Sequence, residues 1–309
     1  MSAYESKETA FIMTFITELK RELRSRVREW RLSFFLLWRN SLTRLAFIVV
    51  ILLFLIAIFA PIIAPYPEHA GSVTNPAEML KPPSAENLFG TDEQGRDVYS
   101  RVMFGARISL RAAIIAVGLS LAIGIPLGAI AGAVGGVIDE ILMRITDVFL
   151  SFPPLLLSIA IAALIGPSLE NAILAIALSW WPWYTRLIRS QAISIKERQF
   201  VRAAVAIGVR PGKIIVRHIV PNCIAPVIVQ ASMDIGGVIL TIASLSFLGL
   251  GAQAPIPEWG LMINTSRNYL MSAWWYSIFP GLAIFIAVLV FNLLGDGIRE
   301  ILDPKTRKL

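Results

Sequence analysis

Six long apolar runs, separated by polar stretches, dominate the hydrophobic pattern of the chain. They occupy residues 45–63, 110–134, 141–164, 171–187, 224–250 and 277–294. A helix needs about 20 mostly apolar residues to cross the hydrocarbon core of a bilayer, and these runs are close to that length or longer. The pattern predicts an all-α polytopic membrane protein with six transmembrane helices.

Prolines and glycines punctuate these runs. Pro126 in the second run and Pro153–Pro154 in the third are expected to kink or break their helices, because proline removes a backbone hydrogen bond. Three glycines recur at every fourth residue of the second run: Gly124, Gly128 and Gly132. This spacing allows two helix backbones to approach closely. Packing is the main interpretation of these features, and a hinge or a pore wall is the alternative.

The runs and the polar stretches divide the chain into five parts. We expect a basic cytoplasmic tail at 1–40, a first transmembrane helix at 41–65 and an extracytoplasmic segment at 66–108. A core domain with five further transmembrane helices would occupy 109–298 and would include a cytoplasmic loop at 195–221. A short cytoplasmic tail would follow at 299–309.

Positive charge is distributed unevenly among the polar stretches. The chain has 28 Lys and Arg against 21 Asp and Glu, a net charge of +7, and 56% of its residues are hydrophobic. Of the 28 basic residues, 22 lie before the first run, beside residue 144, between 186 and 217, or after 298. Because Lys and Arg accumulate in cytoplasmic loops, six spans with both termini in the cytoplasm fit this distribution.

The first 40 residues have a pattern of their own. Leu19, Leu23, Val27, Trp30 and Phe34 fall on one face of a helix, and arginines fall on another. Such a helix is suited to lie on an anionic membrane surface, with a solvated charged helix as the alternative. We expect no nucleic-acid binding, because no second basic or aromatic surface accompanies the tail.

The stretch RQFVRAAVAIGVRPGKIIVRHIVPN at 198–222 carries five basic residues between two apolar runs. Its order predicts a short helix, a left-handed glycine at Gly208 that ends this helix, and Pro211 in the first turn of a second helix. Pro221 is expected to close that second helix before the fifth run. The result would be a small cytoplasmic helix–turn–helix with an apolar face that a partner buries.

This stretch resembles the coupling-loop signature of ABC importer permeases, which reads E-A-A, three residues, G, nine or ten residues, and I-x-L-P. The matching residues are Ala203, Ala204, Gly208, Ile219 and Pro221. Two positions depart from it. Arg202 stands where the signature has Glu, which puts any salt bridge of that Glu in doubt, and Val220 stands before the proline where the signature has Leu.

Four further blocks extend the resemblance to residues 40–309. They are FGTDEQGRDVYSRVMFGARISL at 89–110, SWWPWYTRLIRSQ at 179–191, SFLGLGAQAPIPEWG at 246–260 and FNLLGDGIREILDP at 291–304. They are similar to blocks in permeases of the dipeptide, oligopeptide and nickel branch. The chain resembles the second, C-type permease of such a pair.

The resemblance implies the type I ABC importer permease fold and a set of partners. These are a second permease, two ABC ATPase subunits that bind ATP and Mg, and an extracytoplasmic solute-binding protein, all assembled in the cell membrane. The implied coupling residues are Arg202, Ala203, Ala204, Gly208, Val209, Arg210, Pro211, Ile219 and Pro221. The chain itself is expected to hold no cofactor and no metal.

No catalytic pattern is visible in the sequence. It has no nucleophile elbow and no phosphate-binding G-x-x-x-x-G-K-[ST], and its single cysteine excludes a disulfide framework. We therefore expect a non-catalytic subunit. The cargo stays open between peptides, oligosaccharide, nickel and glutathione. An ATP-independent channel or transporter, or a membrane scaffold that moves nothing, are the other interpretations.

Charged residues inside the apolar runs are the candidates for contact with a cargo. Asp234 is a candidate for the translocation path, where it could attract a peptide amino group; the alternative is pairing with a polar group or a partner subunit. Asp147 is expected to pair with Arg144. Two aromatic clusters are expected to mark the inner and outer membrane interfaces. The inner cluster is Trp180, Trp181, Trp183 and Tyr184, and the outer one is Trp259, Trp274 and Trp275.

Overall fold

The computed structural model describes residue 38 and residues 40–302 of the 309-residue chain. The predicted amphipathic tail at 1–40 lies outside this range except for residues 38 and 40. Ten α-helices follow one another in the described part. They are α1 Ser41–Ile63, α2 Val98–Val134, α3 Gly136–Leu150, α4 Pro154–Ile165, α5 Leu169–Lys196, α6 Gln199–Ala206, α7 Pro211–Ile214, α8 Val220–Phe247, α9 Trp259–Ser266 and α10 Trp275–Leu302.

Four helical segments in the described range are long and apolar enough to cross a membrane. They are Ser41–Ile63, Val98–Val134, Pro211–Phe247 and Trp275–Ile301. The pair α3 and α4 would make a fifth span, but its two helices are bent by 86° relative to each other. The break at Pro153–Pro154 agrees with the sequence expectation, whereas α2 continues through Pro126 without ending.

The long helices pack around α2. Buried side chains of α1, α2, α5, α8 and α10 form the main hydrophobic core. Helix α2 begins at Val98, so the boundary expected at 108/109 falls inside one continuous helix. Asp97 caps this helix, since its carboxylate accepts a hydrogen bond of 2.7 Å from the Ser100 backbone N–H.

Helices α2 and α5 touch through the glycines at every fourth residue. A Cβ built on Gly128 would lie 2.4 Å from the Thr185 carbonyl oxygen, and one on Gly132 would lie 2.7 Å from the Ala192 Cβ. Real side chains do not fit at these distances, so only glycine permits this approach. The expected packing role of these glycines is confirmed, because they allow α5 to lie directly against α2 in the core.

The segment between α1 and α2 is anchored by buried charges. Asp92 is fully buried and accepts a hydrogen bond of 2.6 Å from the Arg96 Nε, while the Arg101 Nε lies 3.4 Å from the same carboxylate. The indole N–H of Trp275 donates to the Thr91 carbonyl oxygen at 3.1 Å. The stretch 89–101 is therefore fixed to the N-terminal end of α10, and it is not a free loop.

Most of the aromatic residues expected at the two membrane interfaces are packed inside the chain. Trp259 and Trp275 are buried at 1% and 6% exposure, and the indole N–H of Trp259 donates to the Val102 carbonyl oxygen at 2.9 Å. Trp181 and Tyr184 are also buried. Packing and hydrogen bonding inside the chain thus explain these aromatic residues, and of the seven only Trp183 and Trp274 are well exposed.

Candidate functional site

The loop between α5 and α8 is built from local signals in the sequence. Helix α6 ends with the hydrogen-bond pair of a Schellman motif: the Val209 N–H donates to the Ala204 carbonyl, and the Gly208 N–H donates to the Val205 carbonyl. Gly208 has φ of +80°, the left-handed conformation that this motif requires. Its predicted role as the residue that ends the first helix agrees with this geometry.

The second half of the loop differs from the expectation. Arg210 precedes α7, and Pro211 occupies its first turn, as expected, but α7 is only four residues long. A π-helical turn at Ile215–Ile219 follows, and it leads directly into α8. Pro221 therefore lies in the first turn of α8 and does not close a separate helix. Proline has no N–H to donate into this continuous helical path, and a local π-helical turn is one of the adjustments by which a helix accommodates that loss.

One face of the loop is buried by the chain itself. Val201 and Ala204 of α6, with Ile214 and Ile219, pack into a cluster with Ile188, Ala192 and Ile195 of α5 and Ala129 of α2. The expectation that only a partner buries the apolar face is therefore wrong for this half of the loop. The physical reason is that the C-terminal ends of α2 and α5 lie beside the loop and present apolar side chains to it.

The opposite face stays open. Its large apolar side chains are exposed by 42% at Phe200, 59% at Val205, 81% at Ile207 and 72% at Val216. Arg202, Arg210, Lys213 and Arg217 are exposed around them. We call these eight residues the loop face. It combines apolar contact area with positive charge, which suits a partner surface that is apolar and acidic.

The predicted coupling residues divide between these two faces. Ala204 and Ile219 are buried, and Val209 is partly buried. The others are exposed: Arg202, Ala203, Gly208, Arg210, Pro211 and Pro221. The signature therefore mixes residues that fix the loop on the membrane helices with residues that a partner can reach.

Arg202 pairs with Glu197, which ends α5. This ion pair lowers the pKa of Glu197, first through the hydrogen bond and then through the charge of Arg202. The pairing therefore contributes at pH above the ordinary glutamate pKa of about 4.3 and is lost as the pH falls through the lowered pKa. The arginine that replaces the signature glutamate thus has a carboxylate partner within the chain.

Asp234 lies on α8 and is partly buried. The Tyr184 hydroxyl donates to one carboxylate oxygen at 2.6 Å, and the Gln230 side-chain N–H donates to the other at 2.9 Å. Both oxygens therefore have a partner inside the chain. Tyr184 is 50 positions away in sequence, so this pairing could not be predicted from the local pattern, in which Tyr184 stood out only as part of an aromatic cluster.

Asp147, another acidic residue of the apolar runs, is not paired as expected. Asp147 accepts a hydrogen bond of 2.6 Å from Arg186 of α5, whereas Arg144 pairs with Glu140 at 2.8 Å. Arg189 also holds Asp139, with two contacts of 2.5 and 2.6 Å. The pairs of Arg186 with Asp147 and of Arg189 with Asp139 connect α5 to α3. From the sequence, these two arginines had served only as indicators of membrane topology.

Glu258 is a buried carboxylate that the sequence analysis missed. It is fully buried and caps α9 by accepting a hydrogen bond of 2.9 Å from the Leu261 N–H, while Ser109 donates to it at 3.3 Å. Burial raises the pKa of Glu258 above its ordinary value. The signal that could have located it was an acidic residue directly before a helical apolar run.

The fold and the loop together define a class of protein: a membrane-embedded helical subunit that presents a structured loop for a partner. Comparisons with known proteins agree. Residues 124–308 match the family described as "binding-protein-dependent transport system inner membrane component", and residues 29–83 match the "N-terminal TM domain of oligopeptide transport permease C". The chain belongs to this family of ABC importer permeases, as a multi-pass, non-catalytic inner-membrane subunit of the C type.

Three relatives are similar over most of their length. The dipeptide transport system permease protein DppC of Alkalihalophilus pseudofirmus is 48% identical over 91% of each chain. The probable D,D-dipeptide transport system permease protein DdpC of Escherichia coli K12 is 46% identical over 86% of this chain and 88% of its own. The glutathione transport system permease protein GsiD of Shigella flexneri is 46% identical over 87% and 88%.

A solved structure is similar in fold. It is the methionine ABC transporter MetNI in inward-facing conformations, with a TM-score of 0.54 and 17% sequence identity. The similarity covers 65% of this chain and 96% of the matched one. At this identity it supports the expected type I permease fold and says nothing about cargo.

Proposed function

We propose that this chain forms half of the translocation path of an ATP-driven importer of dipeptides or oligopeptides. In this proposal a second permease forms the other half, and one of the two ATPase subunits docks on the loop face. The observation that carries the proposal is the structured loop itself, which is fixed to the membrane helices on one side and exposes apolar and basic residues on the other.

The proposed topology has six spans with both termini in the cytoplasm. Helices α1, α2, α5, α8 and α10 count as one span each, and the bent pair α3–α4 counts as the sixth. Helix α5 is 28 residues long, which suffices to cross, although its cytoplasmic part is polar. The accumulation of Lys and Arg on one side supports this arrangement.

Coupling in this proposal runs through α8. Helical structure is continuous from Pro211 through the π-turn to Phe247, so the second half of the loop and Asp234 lie on one element. The 15 residues from Ile219 to Asp234 correspond to about 22 Å along a helix. A displacement of the docked loop would therefore move the middle of α8. Coupling requires that the ATPases contact the loop differently in their two states.

Asp234 is the proposed cargo contact. It is partly buried beside Tyr184, and its carboxylate would attract the amino group of a peptide in a site with little water. The hydrogen bonds from Tyr184 and Gln230 would hold the carboxylate in one orientation before the cargo arrives. Because the side chain is already ordered, binding of the cargo does not have to include the entropic cost of ordering it.

The names of the relatives supply the proposed cargo class. Two of the three are dipeptide permeases, and the third is a glutathione permease. Glutathione is itself a small peptide with a free amino group, so it is the second candidate. Both would reach the permease from an extracytoplasmic solute-binding protein, and ATP with Mg would be bound by the partner ATPase subunits.

The first test is gentle purification of the tagged chain from its native membrane, followed by mass spectrometry of the proteins that accompany it. We expect a second permease and ATPase subunits. Reconstitution of that assembly with the binding protein should then give dipeptide uptake that depends on ATP. Flux through liposomes that contain this chain alone would contradict the proposal and would indicate a channel or an ATP-independent transporter. Assembly without any flux would indicate a scaffold.

A further inference from the structure

Two arginines lie near the start of the long apolar helix α2. Arg107 and Arg111 are both exposed, and no carboxylate in residues 40–302 lies within ion-pair distance of either. They are four residues apart, so they stand on adjacent turns of one helix face. An unpaired charge at this depth is expensive, and such residues usually have a function and an interacting group.

The depth of the arginines follows from the packing of α1 on α2. Met103 packs with Ala60 and Ala64, at the end of α1. Arg107 and Arg111 come one and two turns later, about 6 and 12 Å further along α2. Side chains of a helix tilt towards its N-terminus, which for α2 is this same end. Both guanidinium groups can therefore extend towards the membrane surface while their stems stay in the apolar layer.

A groove adjoins the two arginines. It has a volume of about 430 Å³ and lies between α1 and α2. Its apolar lining is formed by Phe54, Ala57, Ile58, Leu110, Ile114 and Ile115. The groove therefore combines two cations with an apolar lining.

The surroundings of the groove indicate a lipid-facing surface. From residue 45 to residue 63, every exposed residue of α1 is Leu, Ile, Phe or Pro. Ile58 at the edge of the groove is 62% exposed, and Ile62 one turn later is 79% exposed. A surface of this composition gives a protein partner no hydrogen-bonding group, whereas acyl chains match it completely.

We propose that Arg107, Arg111 and this groove bind an anionic phospholipid. The phosphate would lie between the two guanidinium groups, since arginine matches phosphate geometry with paired N–H donors. One acyl chain would lie in the groove against Phe54 and Ile58. The lipid phosphodiester carries one negative charge, so the bound lipid would offset one of the two positive charges while it accepts hydrogen bonds from both guanidinium groups, and it would hold α1 against α2. Assignment of the site to the outer leaflet rests on the proposed topology.

The test measures lipid retained by the assembled complex. The complex is purified in detergent, exchanged into micelles that contain equal amounts of phosphatidylglycerol and phosphatidylcholine with the same acyl chains, passed through gel filtration, and analysed by mass spectrometry. We expect wild type to retain phosphatidylglycerol at least fivefold over phosphatidylcholine. The double variant R107Q/R111Q should lower the retained phosphatidylglycerol at least tenfold.

Two further variants separate the charge from the groove. R267Q removes an exposed arginine that lies outside the groove, and it should retain the lipid as wild type does. I58W keeps both arginines but places a bulky side chain at the groove, and it should reduce retention of the lipid. Because Ile58 is exposed, this change does not disturb the core.

Three outcomes would overturn the inference. They are equal retention of both lipids by wild type, undiminished phosphatidylglycerol on R107Q/R111Q, and loss of the second permease from R107Q/R111Q, which would assign the arginines to a subunit interface. Peptide uptake is measured in parallel on the same preparations. Normal uptake without lipid selectivity would refute only the lipid site, and lipid selectivity without uptake would refute only the proposed function.

Discussion

The loop that follows α6 allows a sharp test of coupling, because it contains two glycines in different conformations. Gly208 has φ of +80°, whereas Gly212 lies in the first turn of α7 outside the left-handed region. A Cβ at either position would meet no atom within 4 Å. Neither alanine methyl group would cause a clash. The variants Gly208→Ala and Gly212→Ala therefore differ from each other only in backbone strain.

The magnitude of the strain follows from the backbone. An L-residue in the left-handed conformation costs about 1–2 kcal/mol, and a β-branched residue costs more. Helix α6 has eight residues, and only Val201 and Ala204 are buried. Full burial of one valine contributes about 1.5–3 kcal/mol, so the strain is comparable to the free energy that the buried Val201 contributes to the docking of α6. We expect Gly208→Ala to lower the population of the native loop by about 5- to 30-fold relative to Gly212→Ala.

The assay compares ATP-dependent peptide uptake and ATPase activity of the reconstituted complex for both variants. Gly208→Val should lose more uptake than Gly208→Ala, and Gly208→Asn should lose less, because asparagine tolerates the left-handed region. Insertion and assembly are checked by the yield of complex after gel filtration. If Gly208→Ala and Gly212→Ala transport equally well, the strained turn is not needed for coupling and the reasoning fails.

Three other changes test separate parts of the structure. Gly128→Ala should destabilise the complex in thermal unfolding by about 1–3 kcal/mol relative to Gly118→Ala. The control is matched because the methyl group added at Gly118 meets open space. Equal melting temperatures for the two variants would contradict the close packing of α2 on α5. Asp234→Asn should raise the KM for a dipeptide about tenfold or more, which corresponds to a loss of about 1.4 kcal/mol of binding free energy. Uptake of the N-acetylated dipeptide, which has no charged amino group, should stay unchanged. An equal effect on both peptides would show that Asp234 does not recognise the amino group. Arg202→Glu should lower coupled uptake because it places two carboxylates together, and Glu197→Arg in the same chain should restore it; a double variant no better than the single one would argue against this ion pair.

Local sequence signals predicted the helices and the turn that the structure contains. The apolar runs located the long helices, the break at Pro153–Pro154 separates α3 from α4, and Gly208 ends α6. Each of these depends on the conformational limits of one residue or on the periodicity of a short segment. Such properties are set within a few residues of the chain, so they can be read without knowledge of the fold.

The partners of the polar side chains required the tertiary structure. Asp147 is bound by Arg186, 39 positions away, and not by the nearby Arg144. Asp234 accepts a hydrogen bond from Tyr184 across 50 positions, and the indole of Trp259 reaches Val102 across 157. Several apolar or charged residues compete for each such contact, and only helix packing selects among them.

The same distinction applies to the functional surfaces. The sequence by itself determined that the chain has several apolar spans, that most of its basic residues cluster in a few polar stretches, and that residues 198–222 contain a turn at Gly208. Only the tertiary structure decided which half of that loop is buried against α5, and that Arg107 and Arg111 stand beside a groove of α1. The reason is physical: hydrophobicity and backbone preference act along the chain, whereas burial and charge pairing depend on which helices meet.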